Sequence, residues 1–322
     1  MPQRSIYYAI GRLSVLEKNA IDAARLERLL TASDAQEARR VLSEYAWPDL
    51  GDDERNASEH LKKACTLLKT LSTDSALTDA FLYQYDIANL KILLKARPLG
   101  TEAQSLSPCG TLSQEVLRHA VSEQKYDALP HPLKDALDAL EKRLAVRFDP
   151  MDVDIALDKV HYEWVFQTLG KKHKTALKYF RLRVDSLNCL MALRAMHAQK
   201  PLSFFQSLIL PGGSITKKAW EKAYVKPEEL PLLLNGYGTR IYTAAIAAFQ
   251  NESKLVQLER EADDALLRFF TPFSRSINND ERLIGYLLRR DREAAAVRLI
   301  MAGKENDFPA DAIRERLRDL YA

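Results

Sequence analysis

The sequence predicts an all-α protein built from three similar helical domains. Three observations carry that expectation. Glycine (11) and proline (13) are scarce among 322 residues, which disfavours a turn-rich β fold and favours long helices with few connections. Apolar residues recur at helical spacing in nearly every segment, and no strand-like alternation persists. A polar motif also returns about every 100 residues.

The elements follow in order. Arg25–Tyr45 reads as two short helices broken at Thr31–Asp34, with Ser33 or Asp34 placed to cap the second. Glu59–Leu71 sets Leu61, Ala64, Leu67, Leu68 and Leu71 on one apolar face. Asp74–Arg97 is a long helix that ends before Pro98, and Pro132–Leu169 holds a helical pair divided around Asp149 and Pro150. Lys174–Gln199 is another long helix, stopping before Pro201. Tyr237–Phe270 reads as one very long helix, terminated near Pro272. Asp280–Met301 is expected to end at Gly303, a residue suited to a left-handed C-cap. Pro309–Tyr321 forms the last helix, with its proline near the first turn. Gly51–Arg55, Thr101–Gly110 and Pro211–Ser214 read as loops.

The repeat organises these elements. Asp86-Ile-Ala-Asn89-Leu-Lys91 returns 99 residues on as Asp185-Ser-Leu-Asn188, and 108 further on, more weakly, as Glu293-Ala-Ala-Ala296-Val-Arg298. Gly110-Thr-Leu-Ser113 matches Gly213-Ser-Ile-Thr216, a glycine turn leading into a Ser/Thr N-cap. The period is too long for the common helical-repeat units and implies three copies of a small domain. The division expected is 1–110, 111–213 and 214–322, with the N- and C-terminal parts free to pack together. Three such domains favour pseudo-threefold symmetry, which leaves a central concavity. Within each motif the acid and the residue three on share a helix face. Asp86 with Asn89 and Asp185 with Asn188 therefore read first as structural hydrogen bonds or ion pairs, and second as a repeated binding contact; Glu293 and Arg298, five apart, are the polar residues of the weaker third copy.

Charge is near balance overall, at +3, but uneven. Residues 166–226 hold 12 Lys/Arg against 2 acids, while 22–59 hold 5 Arg against 10 acids. The basic stretch could meet anionic lipid, nucleic acid or an acidic protein. Its loop Gly170–Lys174 reads first as solvated, then as a contact for acidic head groups or a partner. A nucleic-acid site would want interleaved aromatics. Lys171, Lys172 and Lys174, with Lys217 and Lys218 at a helix start, are the candidate partner contacts. Three widely spaced cysteines read as free, buried thiols in a reducing compartment. No apolar run approaches the roughly 18–20 residues that span a bilayer, and the opening residues lack a signal-peptide core. A cytoplasmic location is expected, with membrane association only through the surface or a partner.

No catalytic constellation stands out. The six histidines are scattered without metal-ligand spacing, and no phosphate-binding glycine loop or nucleophile elbow occurs. Asp263-Asp264 invites comparison with all-α, Mg²⁺-dependent prenyl-transfer enzymes, but Leu267 and Arg268 stand where further carboxylates would be needed. No cofactor or metal is therefore expected, and a binding or structural role is favoured over catalysis.

Taken together, the motifs identify a family. The chain resembles the family of the C and d subunits of V-type and V/A-type ATPases (ATP synthases). The resemblance rests on Tyr8-Ala-x-Gly11-Arg12-Leu, Tyr85-Asp86-x-x-Asn89-Leu90-Lys91 and Leu157-Asp158-Lys159-x-x-Tyr162. It continues through Ile284-Gly285-Tyr286-Leu287, Glu293, Arg298, Gly303-Lys304 and Pro309-x(3)-Ile313-Arg314-x-x-Leu317. Gly51–Ser58 and Ala296, where asparagine is common, depart from the pattern. The resemblance implies a funnel of three similar helical domains. It implies partners: the D and F subunits of the central shaft in the cavity and the membrane proteolipid c-ring below, with torque passed between them for H⁺ or Na⁺ transport. It implies a peripheral position on the cytoplasmic face, no catalysis and no nucleic acid. A helical-repeat scaffold unrelated to ATPases is the alternative.

Overall fold

The computed structural model describes residues 5–103, 105–318 and 320. Among them are fifteen α-helices and no strand. In chain order they are α1 (Ile6–Leu16), α2 (Ala23–Thr31), α3 (Ala35–Ser43), α4 (Asp53–Leu71), α5 (Ser75–Ala96), α6 (Gln114–Glu123), α7 (His131–Leu144) and α8 (Pro150–Leu169). There follow α9 (Lys174–His197), α10 (Leu202–Leu208), α11 (Lys217–Val225), α12 (Thr239–Gln250), α13 (Leu255–Arg268), α14 (Asp280–Glu305) and α15 (Ala310–Arg316).

Side-chain caps set about half of the starts. Asp22, Asp34, Asp52, Ser113, Asp149, Thr216 and Asn279 each accept a hydrogen bond from a first-turn amide. Each such cap is worth about 1 kcal/mol. At α3 the cap is reciprocal: Asp34 accepts from the Glu37 amide at 2.8 Å, and Glu37 accepts from the Ser33 amide at 2.6 Å.

The chain divides into two compact units. The first is Met1–Thr78 with Asp263–Ala322, the second Asp79–Ala262. In the first unit α4 lies along α14, so that Leu61, Ala64, Leu68 and Leu71 share a core with Leu283, Ile284, Leu287, Val297 and Ile300. In the second, Leu133, Leu137 and Leu140 of α7 pack against α8, where Val153, Leu157 and Val160 are buried. Fully burying one such side chain contributes about 2 kcal/mol. Central helix α9 buries residues around most of its circumference, polar Asp185 and Asn188 among them. Aromatic contacts join α5 to α8 and α9: Tyr83 stacks on Trp164 with centroids 3.5 Å apart, and Phe81 meets Phe180 at 4.8 Å.

Four element expectations are corrected. The last helix stops at Arg316, where Leu317 turns extended (φ −67°, ψ 146°), short of the expected Tyr321. The stretch 237–270 is two helices, not one: Asn251 is extended (φ −147°, ψ 118°), and its side chain accepts from the Ser253 amide to start a new turn. Gly303 does not cap α14, which continues to Glu305. The glycine is there for contact, because a Cβ would lie 2.6 Å from Ile313 Cδ1. The loop expected at Gly51–Arg55 stops at Asp52, whose carboxylate caps α4 from residue 53. Short helices α6, α10 and α11 were not anticipated as elements, although Ser113 and Thr216 were expected as caps. Met1–Arg4 and Tyr321 lie outside the described residues.

Candidate partner surfaces and the carboxylate clasps

Each motif carboxylate holds a loop. On α5, Asp86 accepts from the Thr111 amide (2.8 Å), the Thr111 hydroxyl (2.7 Å) and the Leu112 amide (3.0 Å). Asn89, three residues on, exchanges two hydrogen bonds with the Ser107 backbone, at 2.7 and 2.8 Å. On α9, Asp185 accepts from the Ser214 and Ile215 amides at 2.8 and 3.3 Å and from the Tyr237 hydroxyl. Asn188 exchanges the same pair of bonds with the Leu210 backbone, at 2.8 and 3.1 Å. All four side chains are fully buried. Burial raises the Asp185 carboxyl above its ordinary range, while the Tyr237 hydroxyl and the two amides pull it down.

The glycines of the second motif now have a reason. A Cβ on Gly110 would stand 2.0 Å from Asp86 Oδ1, and one on Gly213 2.1 Å from Asp185 Oδ1. Only glycine lets the loop backbone close on the carboxylate.

The third copy makes the same clasp with the other end of the chain. Glu293 of α14, 1% exposed, accepts from the Ile21 amide at 3.1 Å, and the next residue, Asp22, caps α2. In the first copy Leu112 precedes cap Ser113; in the second Ile215 precedes cap Thr216. So an apolar residue donates its amide to the carboxylate, and its neighbour opens a helix, three times over. Glu293 also accepts from Arg290 (2.6 Å) and faces His60 (3.2 Å), whose pKa burial lowers. Ala296 stands in the asparagine position and is buried. Arg298 points elsewhere, to Glu54 at 2.7 Å and Ser58 at 3.0 Å.

Two copies carry a further contact that the sequence reading missed. Arg97, eleven residues after Asp86, donates to the Val121 carbonyl at 3.2 Å near the end of α6. Lys304, eleven after Glu293, donates to the Leu30 carbonyl at 2.9 Å and to the Ala32 carbonyl, at the end of α2. An acid at the start of the clasped helix and a base at its end both suit the helix dipole. Eleven residues is about three turns, and that shared spacing was visible in the sequence.

The family-motif residues Lys91 and Asp158 meet at 2.7 Å, and Lys95 meets Asp154 at 2.7 Å, tying α5 to α8. Arg183 donates to the Tyr162 hydroxyl at 3.3 Å. Close by, His161 is 5% exposed, and burial, with Arg183 and Lys91 near it, pushes its pKa down to about 3. Asp263 is engaged by Arg318 at 3.2 Å and Arg292 at 4.0 Å. Among the described residues no three His, Cys, Asp or Glu side chains stand together to hold a metal. Cys65, Cys109 and Cys189 are buried thiols. No described helix is long and apolar enough to cross a membrane.

The five candidate lysines are all exposed in the second unit. They form two groups. Lys171 and Lys172 sit in the turn after α8, with Lys174 the first residue of α9; Lys217 and Lys218 open α11. Lys217 is close enough to Lys159 of α8 to lower its pKa, after the larger effect of burial. From Lys159 to the end of α8 is about 15 Å at the helical rise, so the groups are separate along that helix. Lys174, Lys217 and Lys218 stand at helix N-termini, where a cation works against the dipole. Lys217 has only a 3.9 Å pair with Glu221 to offset this.

Comparisons with known proteins agree on one family. The family model described as ATP synthase (C/AC39) subunit matches residues 9–316. Similar proteins include the C subunit of the V-type sodium ATPase of Enterococcus hirae, 25% identical over 279 residues that cover 84% of this chain and 83% of the relative. The C subunit of the V-type ATP synthase of Deinococcus radiodurans is 23% identical, covering 97% and 90%. The C subunit of the A-type ATP synthase of Methanosarcina barkeri is 23% identical, covering 96% and 92%.

Proposed function

We propose, from the premise that this chain belongs to the ATP synthase (C/AC39) subunit family, the C subunits of V/A-type rotary ATPases, that it is the non-catalytic socket of the central stalk. In this role it joins the shaft, made of the D and F subunits, to the proteolipid c-ring and turns with them. ATP hydrolysis or synthesis in the head is thereby coupled to H⁺ or Na⁺ movement through the ring. A peripheral position at the cytoplasmic membrane face, the three-part division at 1–110, 111–213 and 214–322, and a pseudo-threefold funnel all belong to this proposal.

The family match over nearly the whole chain carries the reading. The clasps support it mechanically. A part that passes torque must not shear internally, and each clasp ties a long core helix to the start of another through buried hydrogen bonds in a close-packed interior. The dipole-opposing lysines support a partner surface, since charges held at a cost to the isolated protein fit a site completed by acidic groups. Contact with anionic head groups at the ring's edge is compatible with the same charges.

The test is a pull-down of tagged, folded protein against the co-expressed shaft pair and, separately, the detergent-solubilised proteolipid ring. Capture of both is expected. Capture of neither would replace the socket with an unrelated helical-repeat scaffold. Reversing the charge at Lys171, Lys172, Lys174, Lys217 and Lys218 together is expected to weaken capture and its salt dependence; unchanged assembly would remove these residues from the contact.

A further inference from the structure

The first unit holds an open cleft of about 580 Å³ between α1, α4 and α14, and its chemistry is not that of a solvated groove. Arg12, Lys62, Lys63 and Arg290 line it, with Glu59 the one acid among its lining residues. Lys62 is paired with Glu59 at 3.4 Å, and Arg290 is held by Glu293 and the Leu16 carbonyl. Arg12 and Lys63 make no ion pair or hydrogen bond among the described residues. Two cations are thus left without counter-charge in one concavity. The walls between them are apolar and aromatic: Leu67, Tyr45 and Tyr286. Tyr45 already carries the Arg25 guanidinium 4.4 Å above its ring. At neighbouring His60 burial is the main effect that lowers the pKa, Glu293 opposes it, and Arg290 and Lys63 add a smaller push in the same direction as burial.

We propose that this cleft binds a small organic phosphate with a planar ring, a nucleotide being the class that fits. The cleft volume lies within the roughly 300–1,000 Å³ of small-molecule sites, and such sites combine apolar walls with a few placed polar groups. Two free cations offset most of the charge of a diphosphate, to which Arg12 offers a planar fork and Lys63 a point charge. Tyr45, half-buried with Arg25 over its ring, is the wall that can take a base, while Tyr286 is buried and already carries Arg290 4.9 Å from its ring centre. An acidic protein helix, about 10–12 Å across, would need a long trough rather than a compact cleft. The proposal does not depend on the socket reading.

The test is a fluorescence titration of the full chain with mant-ADP, followed by displacement with ADP, inorganic pyrophosphate and adenosine. Saturable binding is expected, reversed by ADP and pyrophosphate more readily than by adenosine. Arg12→Ala with Lys63→Ala should weaken it by about tenfold or more; both side chains are exposed, so the fold should persist and circular dichroism can check it. Lys171→Ala with Lys172→Ala should leave it unchanged. Absence of saturation up to about 1 mM, affinity unaltered in the Arg12/Lys63 variant, or failure of pyrophosphate to compete would each overturn the proposal.

Discussion

Single residues carry unusual weight in this molecule because its buried motif acids Asp86, Asp185 and Glu293 are committed to backbone amides. Removing such a carboxylate strands the amides it served, at about 1–3 kcal/mol each. The glycines opposite are as constrained. A methyl on Gly213 would fall 2.1 Å from Asp185 Oδ1, whereas one on Gly236 would meet nothing within 4 Å. Gly213→Ala is therefore expected to destabilise by about 1–3 kcal/mol and Gly236→Ala to be near neutral, as urea denaturation would measure. His161 sets a pH dependence of known sign. Its pKa is lowered to about 3 in the folded chain, against an ordinary value near 6.5. The unfolded chain therefore binds the extra proton first, and stability, complete above pH 6.5, falls as the pH drops through that window. At about 1.4 kcal/mol per pH unit, roughly 2 kcal/mol is lost between pH 6.5 and 5. His161→Asn should flatten that limb in urea midpoints measured at both pH values. The acid and asparagine of the motif were legible because they recur. What they grip was not, since Ile21 lies 272 residues from Glu293 and no local pattern joins them.

At the level of the helix, starts were more legible than interruptions and ends. A capping Asp, Ser or Thr is a local signal, and Asp34, Ser113 and Thr216 act as caps in the structure. Asn251 breaks an otherwise helical run using the same chemistry, but Gln250, Glu252 and Lys254 around it are good helix formers, which hid it. Gly303 misled for the opposite reason: glycine reads as a stop, while here it makes room for α15 to approach α14 through Ile313. Gly303→Ala should accordingly cost about 1–3 kcal/mol. Trimming the partner by Ile313→Val in that background should recover part of the loss. A double-mutant cycle that showed no coupling would mean that the two helices do not depend on this contact. The helices bracketed by an acid and a base eleven residues apart, α2 and α6, are short ones that propensity alone would leave marginal. They are set in place by the long helices beside them.

For the whole chain, the two compact units differ in how the polypeptide builds them. The second is one continuous stretch, Asp79–Ala262, while the first joins Met1–Thr78 to Asp263–Ala322. A fragment spanning residues 75–262 should fold alone, with a cooperative urea transition. Residues 1–78 should do so only when 263–322 is supplied with it, because α4 buries its apolar face on α14 and Ile21 needs Glu293. A cooperative transition for 1–78 alone would contradict that dependence. The all-helical class and the repeat were readable at this scale from composition and spacing. The expectation that the N- and C-terminal parts are free to pack together leaves room for one unit closed by both chain ends, but the pairs that close it, such as Ile21 with Glu293, were not readable, because no local pattern joins them. That closure also sets a timetable for synthesis. At about 5–20 residues per second, the ribosome needs some 10–40 s to make the intervening stretch. Throughout that interval the nascent amino-terminal helices have emerged without the surface that will cover them, so they are natural clients for a chaperone.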